Sequence, residues 1–318
     1  MRKRRGFLAA LLLVVALVAA GCGAQGGSGG DAGAKTISIL TPYLSSVTTN
    51  EMVESLKAQA EANGWRTNVV DTKGDVGAMA SRMEDVIASN ADAIVIVSTD
   101  PNQLQAQIRA AAEKGIPVFG CDSGYIDGMS MNATSDNAAM SKLITDYLFE
   151  QMGEEGKLVA LTHRPHPGVL KRSEQLDAQL TENSAIELVT EQHVDVPGPI
   201  ENARKHMESL LLANQQPGAI TAVWAAWDEP AIGAAQAIQA AGRSDIIVTG
   251  IDGNSQAVAM IQEGGPLVAT VKQNFAGMAE LVTAQIKRVF DGQSVEATEM
   301  YAPATLITKE NASEFAAE

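Results

Sequence analysis

The stretch Asp92-Ala-Ile-Val-Ile-Val-Ser98 decides the fold. It is apolar on both faces, as a strand is when layers cover it above and below, the mark of a buried parallel sheet. Pro101 to Lys114 follows with helical spacing, a proline near its start and Gly115 as its stop. Ile116-Pro-Val-Phe-Gly-Cys121 is then the next strand. One strand, one helix and one strand of this length make a right-handed crossover unit.

The same alternation extends in both directions. Upstream, Thr36–Leu40 and Arg66–Asp71 read as strands, and 50–63 and 75–90 as helices. Downstream, helices are expected at 136–152, 168–181, 200–213, 229–241, 255–262 and 275–290. Strands are expected at 157–162, 186–191, 219–225, 245–251, 268–272 and 301–308. About a dozen strands exceed what one open sheet usually holds. The chain is therefore expected to be α/β, with two Rossmann-like lobes built on parallel sheets.

The N-terminus has a different character. Four of the 23 basic residues, Arg2, Lys3, Arg4 and Arg5, stand in the first five positions, while none of the 38 acidic residues precedes Asp31. The short apolar segment Phe7–Ala20 and the small residues before Cys22 follow. Residues 1–21 read as a secretory signal, not a fold element. Residues 22–34 read as a Gly- and Ser-rich tether. The Ala19-Ala-Gly-Cys22 stretch resembles a bacterial lipobox, which implies lipidation of Cys22 and a body held at the outer face of a membrane.

Composition narrows the function. A net charge of −15 disfavours nucleic acid, which needs clustered Lys and Arg to neutralise phosphates. Two cysteines and four histidines offer no zinc-site spacing, and no cofactor motif is present. There is no Gly-x-Ser-x-Gly elbow and no His-Glu-x-x-His pair, so an enzyme is disfavoured. In open α/β sheets, ligands bind beyond the carboxyl ends of the strands. The residues there are Tyr43, Ser98, Asp122-Ser123, His163-Arg164-Pro-His166, Trp227-Asp228, Asp252 and Gln273. Polar or aromatic groups recur at equivalent places, which points to one cleft.

These residues also carry a resemblance. Gly115-Ile-Pro-Val118 with Asp122 beyond it, Thr134-Ser-Asp-Asn137, Trp227-Asp-Glu-Pro-Ala-Ile-Gly-Ala234, Gly250-Ile-Asp-Gly253 and Ala269-Thr-Val-Lys-Gln273 occur in that order. In this respect, from about Thr36 to Lys309, the chain resembles the type I periplasmic sugar-binding proteins of ABC transporters, closest to the ribose-binding group. The resemblance implies a three-crossing hinge, with residues 35–135 plus 274–303 as the N-terminal lobe. It gives 136–273 plus 304–318 to the C-terminal lobe. It implies a monomer that closes on a small sugar or polyol and presents it to membrane permease subunits. A sensing protein that docks on a membrane receptor with a signalling sugar derivative or nucleoside is the alternative.

By the same resemblance, Asp122 and Asp252 accept hydrogen bonds from hydroxyls and Gln273 is the hinge amide. Ser98 is a further polar contact. Ser123 stands where the family has Arg, and Trp227 where it has Asn, with Asp228 beside it. Leu170 stands at a family arginine, for which Arg164 is expected to substitute, next to His163. Lys171 and Arg172 are expected to face structural partners. The family's stacking aromatics are missing from 41–52, so Tyr43 is expected to stack and Asn50 to supply a polar contact.

Overall fold

The computed structural model describes residues 33–315. The signal segment, Cys22 and the tether up to residue 32 lie outside the described residues. Twelve strands fall into two six-stranded sheets among those residues.

The first sheet has the order β11-β5-β4-β3-β1-β2, parallel throughout. Its strands are β1 (Thr36–Thr41), β2 (Arg66–Asp71), β3 (Ala93–Val97), β4 (Val118–Cys121), β5 (Met131–Thr134) and β11 (Glu299–Tyr301). Ala93–Val97 is buried at every position, as expected of a strand covered on both faces. Helices α1 (Val47–Ala62) and α9 (Phe275–Phe290) cover one face, where Met52, Val53 and Leu56 meet Phe275, Met278 and Val282. Helices α2 (Met79–Ala88) and α3 (Gln105–Glu113) cover the other through Met83, Ile87 and Ile108.

The second sheet has the order β12-β10-β9-β8-β6-β7. Its strands are β6 (Gly156–Thr162), β7 (Ile186–His193), β8 (Ala222–Ala225), β9 (Ile247–Asp252), β10 (Leu267–Lys272) and β12 (Thr305–Thr308). All pairs are parallel except β10 with β12. Helices α4 (Asn137–Met152), α5 (Pro167–Glu182), α6 (Pro199–Ala213), α7 (Asp228–Ala240) and α8 (Ser255–Glu263) bury their apolar faces in one core with this sheet. That core has Trp224 fully buried, its indole N–H donating to Thr145 at 3.0 Å.

Two elements differ from the sequence reading. Met131–Thr134 is a strand where none was expected. The single strand expected over 301–308 is two, and they join different sheets. Ala302-Pro303-Ala304 separates them, and a proline has no N–H to give a ladder. The chain passes between sheets there, and also between β5 and α4 and between β10 and α9. Asp136 caps α4 at the first of these passages, accepting from the Ala139 amide at 2.9 Å.

Candidate ligand-binding site

The carboxyl ends of both sheets face one cavity of about 480 Å³, counting its mouth. From the first sheet come Tyr43 after β1, Ser98 after β3 and Asp122 after β4. From the second come His163 after β6, Trp227 after β8 and Asp252 at the end of β9. Gln273 lies where the chain passes from β10 to α9.

Backbone geometry aims several of these groups. Ser98 and Asp122 have φ of 53° and 51°, and Asp252 has φ of 141°. Non-glycine residues seldom adopt such angles, which cost on the order of 1–3 kcal/mol each. Three strands thus end in strained residues whose side chains turn into one space.

The acids are buried and held. Asp122 accepts from Thr134 Oγ1 at 3.2 Å and lies 3.5 Å from Ser98 Oγ. Burial raises its pKa against the opposing pull of Arg172. Asp252 accepts from Gln273 Nε2 at 2.8 Å, and burial lifts its pKa well above the usual carboxylate value. Gln273 Oε1 is buried and, among the described residues, has no partner. A buried acceptor without a donor is costly, so this atom is open to a donor from outside the chain, water or solute.

Arg172 faces structural partners, as expected, and also lines the cavity. It is 2 % exposed and reaches within 3.6 Å of Asp252. Its Nε donates to Asn137 Oδ1 and its Nη1 to the Ala226 carbonyl, both at 2.8 Å. The signal was available: Val169, Arg172, Ser173 and Leu176 fall on one helical face. A lone cation on an apolar stripe marks an inward charge. Arg164, the expected substitute, points outward into an ion-pair cluster with Glu191 at 2.7 Å and Asp177 at 3.0 Å.

Three other expected residues lie outside the cavity. Asn50 is exposed, because α1 begins at Val47 and turns Thr48 and Thr49 inward instead. Ser123 folds back, donating to the Ile96 carbonyl at 3.0 Å and accepting from the Thr99 amide at 3.1 Å. Asp228 ties α7 to its neighbours, accepting from Thr270 at 2.7 Å and the Asn254 amide at 2.8 Å. Burial raises its pKa to about 6.

Two further residues bridge the walls. Glu229 accepts from Ser46 Oγ at 2.6 Å and from the Trp227 indole. Tyr43 Oη lies 3.1 Å from His163 Nε2. His163 Nδ1 faces the Val194 carbonyl at 2.9 Å, which can only accept, so Nδ1 carries the proton and Tyr43 donates to Nε2. Among the described residues, no three His, Cys, Asp or Glu side chains are grouped to hold a metal.

Two α/β lobes, three chain passages and a cavity between the sheets lined by acids, an amide and aromatic rings define a two-lobed binding protein. The family model for the periplasmic binding protein domain matches residues 37–294, and the chain belongs to that family. It is 28% identical over 257 residues to the ribose import binding protein of Bacillus subtilis (strain 168), covering 80% of this chain and 81% of the relative. It is 28% identical to the D-apiose import binding protein of Actinobacillus succinogenes, covering 74% and 76%. The crystal structure of an ABC transporter solute-binding protein from Agrobacterium vitis with bound allitol superposes with a TM-score of 0.83. Its identity is 26%, over 88% of this chain and 97% of that one.

Proposed function

We propose that this protein is the extracytoplasmic solute-binding lipoprotein of an ABC importer. It takes a small neutral carbohydrate or polyol into the cavity and delivers it to the permease. The observation that carries this reading is the pair of buried carboxylates, Asp122 and Asp252, on opposite walls, with the unpartnered Gln273 Oε1 beside them. Hydroxyl groups are the donors that such acceptors call for, and charge-assisted bonds are the strong ones. Trp227 supplies a flat apolar face for C–H groups. Relatives named for ribose and D-apiose import, and one holding allitol, support the class.

The site binds and orients; it makes and breaks no covalent bond. The lobes close on the solute, with Tyr43–His163 and Ser46–Glu229 meeting across the mouth. Cys22 carries the lipid, the tether spans to the body, and the protein works as a monomer because its lobes must move against each other.

A thermal-shift screen against D-ribose, D-apiose, allitol, nucleosides and amino acids tests this. A solute that binds only the folded chain raises Tm with occupancy. A shift with one of the first three supports the reading. Shifts confined to nucleosides or amino acids overturn the solute class.

A further inference from the structure

His166 lines the cavity, and the acceptors described above leave it unused. It is the N-cap of α5: its Nδ1 accepts from the Gly168 amide at 3.1 Å and the Val169 amide at 3.3 Å. A ring nitrogen that accepts cannot hold a proton, so the ring is neutral and its one proton sits on Nε2. That Nε2 points across the cavity to Asp122 Oδ2, 3.5 Å away. The separation is longer than a good direct hydrogen bond. Asp122 is an acceptor there and Nε2–H a donor, with cavity space adjoining both.

We propose that His166 is a ligand-binding residue that, with Asp122, selects one hydroxyl group of the solute. The hydroxyl oxygen accepts from His166 Nε2–H, and the same O–H donates to Asp122 Oδ2. Only a group that accepts and donates at once satisfies both partners. A deoxy carbon does neither, and a fluorine cannot donate. This rests on the carbohydrate reading of the cavity.

The surroundings keep the ring neutral. Arg172 and His163 from its own lobe and Tyr43 from the other wall face it, with Asp122 opposite. Burial and Arg172 hold its pKa down to about 3. A proton on Nδ1 would point into two backbone N–H groups and undo the cap.

The test has two arms. In the first, nitrogen-15 NMR of histidine-labelled protein reads the ring without any ligand. A neutral ring with its proton on Nε2 at pH 6.0 is expected; a charged ring, or a proton on Nδ1, overturns the proposal. In the second, His166→Asn retains a cap-forming side chain but is too short to reach the solute. Wild type and variant are titrated with whichever of D-ribose, D-apiose and allitol binds. A loss of about tenfold or more with Tm little changed is expected. Equal affinity overturns the proposal. If only a nucleoside or an amino acid binds wild type, the solute class of the preceding section fails, and that solute replaces the sugars in the comparison of wild type with His166→Asn.

Discussion

At the scale of single residues, the site divides into groups that face the cavity and groups that hold them. Asp122→Ala, Asp252→Ala and Gln273→Ala each remove a cavity-lining acceptor or its partner. Each is expected to weaken binding by at least about tenfold while the chain stays folded; isothermal titration checks this, and unchanged affinity in all three defeats the cleft assignment. Arg172→Met is expected to do more. It leaves buried carboxylates without their nearest cation, so stability falls by about 3 kcal/mol as well as affinity, as read by urea unfolding. His166 also shapes acid stability. Its pKa of about 3 in the fold lies below its ordinary 6.5. Below about pH 6.5 the unfolded chain takes a proton that the folded chain refuses, so stability falls with pH, by up to about 1.4 kcal/mol per unit. Asp228, raised to about 6, acts in the opposite sense, since its folded form binds the extra proton. His166→Asn removes only the first effect. The variant is therefore expected to gain on wild type as pH drops from 7.5 to 5.0 in urea titrations; a constant difference rules this out. Seven of the eleven expected ligand residues line the cavity: Tyr43, Ser98, Asp122, His163, Trp227, Asp252 and Gln273. They were legible because a strand's end fixes where the next side chain goes. Asn50 and Arg164 were not, because helix phase and outward alternation decide their direction, and both hinge on a boundary that sequence places only to within a few residues.

At the scale of elements, the alternation of strands and helices was readable because covered parallel strands are apolar on both faces. Met131–Thr134 escaped because its four residues include a polar Asn and Thr, both buried by tertiary contacts that no local pattern announces. The pairing of α6 with α7 was equally hidden. Gly233 in α7 sits so close to α6 that a Cβ there would fall inside contact distance of the Ile200 carbonyl. Backbone cannot rotate away as a side chain can, so Gly233→Ala is expected to push the helices apart. A loss of about 2 kcal/mol or more follows from such overpacking, measured by urea unfolding. Wild-type stability in that variant would show that the helices slide freely.

At the scale of the molecule, each sheet keeps its own apolar cores, and the walls of the cavity meet through hydrogen bonds and the ring contacts of Tyr43 with His163 and His166. Such contacts form and part without exposing a core. Ser46→Ala removes the donor to Glu229, and a bond to a charged group is worth about 1.5–3 kcal/mol. Solute release is expected to accelerate by about tenfold or more with little change in association, which stopped-flow fluorescence of Trp227 follows. An unaltered release rate excludes the Ser46–Glu229 bond as part of the closed state.

The route of the chain through the two sheets also sets an order of assembly. The first sheet gains α9 and its edge strand β11 only after five of the six strands of the second sheet have been made. As the chain emerges from its N-terminus, Met52, Val53 and Leu56 of α1 wait without the Phe275, Met278 and Val282 that cover them. The second lobe, save its last strand β12, lies within one continuous span made before α9. The earlier-born half thus waits for its cover, and its uncovered helix face is what a holding chaperone would meet on a nascent chain.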